Sequence, residues 1–566
     1  MASNAIARRF TLVTCCLAGV IAPSLSPGEA PPAAIQFVDI APQLGITYTS
    51  NNDYRGRKYF PQPMCGGVAI FDYDLDGLQD IYFTNGAKLP ELRKTDESFH
   101  HLLLRNTGDG RFEDTTAAAG LAASHLDFTF GVAAGDYDND GYPDLFLANA
   151  GPNALYHNNG DGTFTDVAAG SGIGSKPPDT LSVQGAWLDY DNDGLLDLVL
   201  SNYTFWTPEK DVVCNDATGE LYCSPRIYPP VPHRLYKNLG NGKFADVTDE
   251  AGFGKALGKG MGIGIADFNR DGWTDIFVAN DTERNFLYLN RKGERFQEAG
   301  IVLGVAYNDS GATVSAMGCD VKDFDNDGWT DVFYNNLMQQ IHGLFRNEQG
   351  MGFVYGSPEL GVEHLSRHYS GWSNGFIDYD NDGWKDIYSA NGHVDYVGEN
   401  TEQSDTILRN IDGRSFVDVS AQLGPDFLVK GYKRGSAFGD LNNDGFLDIV
   451  VTALNAPPRI LINSGGNGNH WLIVSLEGVT ANRDAVGVEV KLTTGSGRTL
   501  YNHVTTSVGF MSSSDKRLHF GLGQETEVKS LEIRWPGGPV QTLAGVAADT
   551  ILEVKQPAAA VPARLP

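Results

Sequence analysis

Asp136-Tyr137-Asp138-Asn139-Asp140-Gly141-Tyr142-Pro143-Asp144 runs directly into Leu145-Phe146-Leu147-Ala148. Carboxylates stand at positions 1, 3, 5 and 9 of this stretch, Gly stands at position 6, and an apolar run follows. The same spacing starts again at Asp72, Asp189, Asp267, Asp323, Asp378 and Asp440, with successive copies 64, 53, 78, 56, 55 and 62 residues apart. A pattern repeated seven times in register makes this a repeat protein, and the repeat decides how every other segment is read.

Oxygen ligands on alternate residues of a tight turn can converge on one centre, and the Gly gives the backbone freedom to wrap round it. The candidate ligands are Asp72, Asp74, Asp76 and Asp80 in loop one, Asp136, Asp138, Asp140 and Asp144 in loop two, and Asp189, Asp191, Asp193 and Asp197 in loop three. Loop four offers Asp267, Asn269, Asp271 and Asp275, loop five Asp323, Asp325, Asp327 and Asp331, loop six Asp378, Asp380, Asp382 and Asp386, and loop seven Asp440, Asn442, Asp444 and Asp448. A backbone carbonyl from position 7 and a bidentate Asp at position 9 bring each loop to the six or so oxygens that Ca²⁺ takes, so about seven calcium sites are predicted. Mg²⁺ fits less well because it demands strict octahedral geometry. These are not EF-hands. Position 12 should be Glu but is Phe83, Leu147, Leu200, Val278, Tyr334, Ser389 and Val451, and the flanks lack helical periodicity. The alternative is an Asp-rich turn that caps itself without metal, which so many converging like charges disfavour.

Around each loop the order is constant. A small, apolar strand leads in, as at Phe130 to Ala134, and a second strand leaves the loop. A third carries Leu155-Tyr156-His157-Asn158, and after a Gly-containing turn a fourth follows, Thr163-Phe164-Thr165-Asp166-Val167. Four antiparallel strands per unit predict a propeller blade. The seventh unit has no fourth strand after Leu461-Ile462-Asn463, yet an orphan one, Phe37-Val38-Asp39-Ile40, precedes loop one. The expected fold is therefore all-β: a seven-bladed β-propeller over residues 36–465, closed without an open edge by the N-terminal strand. Alternating runs within 471–478, 486–494 and 528–535 predict a small β-sandwich over 469–556, and a Pro- and Ala-rich tail at 557–566 is expected to be disordered.

Phe130-Gly131, the Asp loop and Ala150-Gly151-Pro152 resemble the FG-GAP or VCBS repeat of integrin α propellers and their bacterial relatives. Asn469-His470-Trp471-Leu472, Asn482-Arg483-Asp484-Ala485, Arg517-Leu518-His519-Phe520-Gly521 and Arg534-Trp535-Pro536 resemble the ASPIC/UnbV domain. The order of signal, propeller and ASPIC/UnbV domain is similar to the cartilage acidic protein family. Phe510 and Ser513 depart from it, standing where that family has Tyr and Gln, which leaves the role of their loop open.

The formal net charge of -29 has a local origin, since most of it sits in the loop carboxylates and seven bound Ca²⁺ would roughly halve it. Nucleic acid is excluded as a partner by the missing basic patch. Arg8 and Arg9 before an apolar stretch from Phe10 to Ala22 read as an export signal over residues 1–26. The mature chain is then secreted, extracellular or periplasmic, with no integral membrane segment, and monomeric. Cys214 and Cys223 lie nine residues apart in one polar loop and are expected to form a disulfide, while Cys65 and Cys319, in apolar strands, read as buried thiols.

Loops after the second strand of a blade face away from the Asp loops, and the long insertions at 85–100, 202–233 and 391–405 all lie there. The candidate ligand-binding residues are Trp206, Tyr228 and His233 on the aromatic, Pro-stiffened second insertion, and His393 on the third. Such aromatics either form a recognition surface or fold onto their own blade. Gly371-Trp372-Ser373-Asn374-Gly375 formally matches an esterase nucleophile motif, but that motif needs a strand followed by a helix, and here an Asp loop follows. The expected function is non-catalytic binding or adhesion, calcium-dependent, toward an extracellular protein or glycan; the alternative is a polysaccharide-acting enzyme on a calcium-stabilised propeller.

Overall fold

The computed structural model describes residues 34–122, 125–173, 179–217, 219–395 and 401–558. The expected export signal at 1–26 lies outside them, as do residues 559–566 of the expected tail.

Among the described residues, seven four-stranded antiparallel sheets each carry one Asp loop between the first and second strands. The sheet that holds loop two is built from Thr129–Gly135, Asp144–Asn149, Ala154–Asn158 and Phe164–Asp166 in that order. Its first two strands are buried at every position. Neighbouring sheets cover both faces of those strands, which is why they read as continuous small or apolar runs instead of alternating ones. First strands lie against one another in chain order, and that of the seventh sheet, Lys433–Gly439, lies against that of the first, Val68–Phe71. Their approach is close enough to demand glycine. A Cβ on Gly131 would stand 2.4 Å from the carbonyl oxygen of Val183 in the next first strand.

The seventh sheet is completed from the far end of the chain. Phe37–Asp39 pairs antiparallel with Arg459–Asn463 in the register Phe37 to Asn463 and Asp39 to Leu461. Asp39 also binds Arg459 Nε at 2.9 Å, and Phe37 packs on Phe427.

After residue 465 the chain forms two further sheets. One joins Leu518–Gly523, His470–Glu477 and Thr550–Lys555, the last pair being parallel; the other joins Thr499–His503, Glu489–Thr494, Glu527–Arg534 and Val540–Ala547. Leu472, Val474, Val490, Leu492, Leu531 and Ile533 share one core, which continues into Trp187, Leu198 and Tyr236 of the third sheet. The C-terminal region is therefore fused to the repeats by burial.

Residues 504–515, whose role the sequence left open, leave this region and run between the first strands of all seven sheets. Ser513 exchanges backbone hydrogen bonds with Val68 and Ile70, Met511 accepts from Val132, and Gly509 pairs with Cys319. Side chains complete the set: Gln184 accepts from the Met511 amide, Ser507 donates to Ile263, Ser373 Oγ accepts from the Phe510 amide and Ser514 Oγ from the Phe438 amide. Phe510 and Met511 are fully buried. Asp in place of Met511 would put an unpaired carboxylate into this contact, and should lower unfolding stability by ~3 kcal/mol or more in urea titration.

Candidate metal centres and the opposite face

Every Asp loop folds by the same rule, which loop three illustrates. Asp189 accepts the amides of Asp193 and Gly194 at 3.1 and 3.0 Å, and Asp193 accepts that of Leu195 at 3.0 Å. These local bonds curl the turn, with position 4, Asn192, in the left-handed region at φ 56°, a conformation that Asn tolerates. Asp197, fully buried, accepts from the Tyr190 amide at 3.1 Å and from the Asn238 amide at 2.7 Å, one on each oxygen. Carboxylate oxygens of Asp189, Asp191 and Asp197 come within 4.8 Å of one another, and so do those of the matching residues in loops one, two and five.

Such crowding raises the carboxylates. Burial pushes Asp80 and Asp136 up to about 8 and Asp189 to about 7, with repulsion from neighbouring acids adding to it. Oδ1 of Asp74 and Oδ1 of Asp191 are buried without a hydrogen-bond donor. Hard oxygen donors, excess negative charge and orphaned acceptors in one turn are what a bound Ca²⁺ would satisfy, so the residues present fit that ion.

One recurring residue escaped the ligand pattern, although its repetition was visible. The Asn at or near the end of each third strand donates from Nδ2 to the carbonyl at position 2 of the loop before it. Asn158 reaches Tyr73, Asn238 reaches Tyr137 and Asn290 reaches Tyr190, each at 2.8 Å. Asn347, Asn410 and Asn463 reach Phe268, Phe324 and Tyr379 at 2.9, 2.9 and 2.8 Å, and Asn106 of the first sheet reaches Leu441 of the seventh loop at 2.8 Å.

The C-terminal region lies over the Asp loops. The Arg483 amide donates to Asn139 Oδ1 at 2.8 Å, Arg498 donates to the Asp382 carbonyl at 2.8 Å, and Arg517 reaches Asn443 Oδ1 and the Asp440 carbonyl at 2.9 Å each. The opposite face carries the insertions. The Cys214 to Cys223 disulfide is formed there, while Cys65 and Cys319 are buried free thiols.

Three of the four proposed ligand contacts on that face are packing residues instead. Trp206 is 1% exposed with Nε1 donating to Asp211 at 2.8 Å, Tyr228 packs at a tilt against Phe60 with centroids 4.3 Å apart, and His233 is wholly buried between the Asn202 amide and Asn280. Burial pushes His233 down to about 4. The insertion folds onto its own sheet because residues 57–64 supply partners: Arg57 bridges Asp211 and Glu220, and Phe60 enters the aromatic cluster. His393 remains half-buried and lines a cavity of about 430 Å³ with Tyr203, Tyr222, Asp281, Trp372 and Asp395. Asp281 accepts from the Tyr203 hydroxyl at 2.6 Å, and burial pushes it up to about 6. Ser373 sits inside the strand Gly371–Ile377, fully buried and bonded to backbone, so the esterase-like motif presents no nucleophile to solvent.

An FG-GAP-like repeat profile matches residues 72–147, 136–200, 211–278, 267–334, 323–389 and 378–451, an FG-GAP repeat profile matches 434–472, and an ASPIC and UnbV profile matches 478–561. Cartilage acidic protein 1 of Xenopus tropicalis is 26% identical over 498 residues, covering 84% of this chain and 62% of that protein. Its Homo sapiens counterpart is 25% identical over 527 residues, covering 88% and 73%. The chain thus spans less than two thirds of the Xenopus relative's length. A solved structure, the BP39L lectin from Burkholderia pseudomallei, aligns with a TM-score of 0.41 at 9% identity over 71% of this chain and 96% of that one, too distant to bear on ligands. No helix among the described residues is long and apolar enough to cross a membrane.

Raised loop carboxylates give the metal-free protein a distinctive pH response. Folding raises these groups above their unfolded value near ~3.9, so the folded chain holds protons that the unfolded chain has lost. That contribution is full at acid pH and is lost as pH rises through about 7 and about 8, where Asp189, Asp80 and Asp136 ionise in the fold. In a chelator the melting temperature should fall from pH 5 to pH 8, and millimolar Ca²⁺ should abolish or reverse that fall in the same calorimetric scan.

Proposed function

The chain belongs to the FG-GAP-like repeat family, and from that premise we propose a secreted, calcium-stabilised, non-catalytic binding protein that recognises an extracellular protein or glycan on its insertion face. In this reading residues 36–465 form a closed seven-bladed propeller and residues 469–556 a β-sandwich seated on its calcium face. Closure is supported by the pairing of Phe37–Asp39 with Arg459–Asn463 and by the contact between the last and first of the inner strands. Export is supported by the N-terminal signal pattern and by the disulfide.

The observation that carries the binding assignment is an asymmetry between the two ends of the fold. The C-terminal region covers the Asp loops, while the other end keeps a cavity walled by Tyr203, Tyr222 and Trp372 with Asp281, His393 and Asp395 at hand. Aromatic faces beside carboxylates and an imidazole suit a sugar ring or a polar peptide side chain. Because an acid and an imidazole share that cavity, a polysaccharide-turnover assay belongs beside a glycan and protein array of the purified chain. On whichever ligand the array identifies, Tyr222→Ala should cost at least ~2 kcal/mol of affinity with calcium content unchanged. Binding that survives Tyr222→Ala and His393→Ala, yet is lost with residues 469–556, would place recognition in the C-terminal region.

Calcium enters this reading as a structural ion. At free Ca²⁺ tenfold above its dissociation constant each site adds ~1.4 kcal/mol, and seven add ~10, comparable with a domain's whole net stability. EDTA should therefore lower the melting temperature by many degrees, and Asp197→Ala should remove one bound calcium by metal analysis. An EDTA melting curve identical to that in calcium would refute the assignment.

A further inference from the structure

The residue directly before the recurrent third-strand Asn changes with the loop it faces. It is Arg105, His157, Lys237, Arg346 or Arg409 in the five sheets whose loops have Asp at position 3. In the two whose loops have Asn269 and Asn442 it is Leu289 and Ile462. The correspondence within this one chain is complete, and it is spatial as well. Arg105 Nε lies 2.5 Å from Oδ2 of Asp74, Arg409 Nε lies 2.8 Å from Oδ2 of Asp380, and Lys237 Nζ pairs with Oδ2 of Asp191. His157 Nδ1 stands 3.3 Å from Oδ2 of Asp138. Arg346 binds Glu348 at 3.2 Å and acts on Asp325 through space.

In the Arg and Lys pairs the cation meets Oδ2 of position 3, and its other contact is the position-5 carboxylate, Asp76, Asp193 or Asp382, which Asn loops carry as well. For Asp74 and Asp191 the remaining oxygen, Oδ1, is the buried acceptor without a donor. At Asp74 and Asp191 a cation on one oxygen therefore fixes the carboxylate's rotation and leaves the other oxygen free for the loop centre. It also cancels the charge by which an Asp loop exceeds an Asn loop, so Asp with a cation and Asn with an aliphatic neighbour leave the same net charge on the turn.

We propose that this third-strand residue sets the metal affinity of its loop by balancing and aiming the position-3 ligand, a proposal that rests on the calcium reading above. It acts as a positioning residue and does not itself touch the ion. An Asp at position 3 without its cation would attract a multivalent cation more strongly, and an Asn facing a cation would attract one less.

Terbium luminescence on the full chain tests this, because Trp273 and Trp384 occupy position 7 of loops four and six. In a Trp273→Phe/Trp329→Phe background, the part of the emission that Asp386→Ala removes reports loop six; in a Trp329→Phe/Trp384→Phe background, the part that Asp275→Ala removes reports loop four, which separates each from the neighbouring loop that the same indole also approaches. Arg409→Leu should tighten loop six about tenfold, the scale of one unit charge against a multivalent ion across a solvated gap, and adding Asp380→Asn should restore the original affinity. Asn269→Asp should tighten loop four likewise, and adding Leu289→Arg should reverse it. The loop-four pair decides alone if Arg409→Leu folds poorly. Affinity that is unchanged or weakened by the single substitutions, or is not reversed by the second, overturns the proposal. Absence of terbium binding by the unsubstituted chain would refute the calcium reading, and the proposal with it.

Discussion

A buried asparagine at or near the end of each third strand joins three things that the fold needs held together. Its backbone amide donates to the position-9 carboxylate of its own loop, as Asn238 does to Asp197, and its side chain donates to the loop of the preceding sheet, as Asn238 does to Tyr137. Ligand, strand and neighbouring sheet are thereby tied through one residue. A buried amide left without its acceptor costs ~1–3 kcal/mol, more than the net gain of an ordinary hydrogen bond, so these links are worth most as a constraint on where each sheet can sit. Since Asn106 reaches Leu441, the chain of links returns to its start.

A second set of loop-to-loop links shows what happens when one residue departs. Position 4 donates to the position-6 carbonyl of the next loop: Asn139 to Gly194, Asn326 to Gly383, Asn381 to Gly445, and Asn443 to Gly77. Arg270 does the same for Gly328 through its guanidinium. In loop one the position is Leu75, which has no donor and is 51% exposed. There the C-terminal region steps in, with the Arg483 guanidinium lying against Gly141.

Local sequence carried the repeats well. Asp spacing, strand order, the orphan Phe37–Asp39 strand and the Cys214 to Cys223 bond were all readable because each is fixed by neighbours in the chain or by a repeated pattern. Distant partners were not. Trp206 reads equally well as an anchor for a ligand or as filling, and only Asp211 and Phe60 settle it as filling. Residues 504–515 look like an ordinary polar loop, Thr505-Thr506-Ser507 and Ser512-Ser513-Ser514 flanking Phe510 and Met511. Their hydroxyls and amides satisfy seven different strands, a relation that no periodicity encodes. The cation before each third-strand Asn was visible as a repeat, but it gained meaning only once Arg105 and Arg409 were seen against Asp74 and Asp380.

Residues 504–515 also bear on the order in which the molecule can be completed. The strand that finishes the seventh sheet is made first, at residues 37–39, and the segment that touches all seven inner strands is made after more than four-fifths of the chain. Until that segment is made, the inner edges of the sheets lack their last hydrogen-bond partners. Until residue 515 emerges, Gln184, Ser373 and the amides of Ile70 and Val132 must be served by water. Completion of the fold then waits on the C-terminal region, and a chain interrupted before it would lack the one segment that these seven strands share.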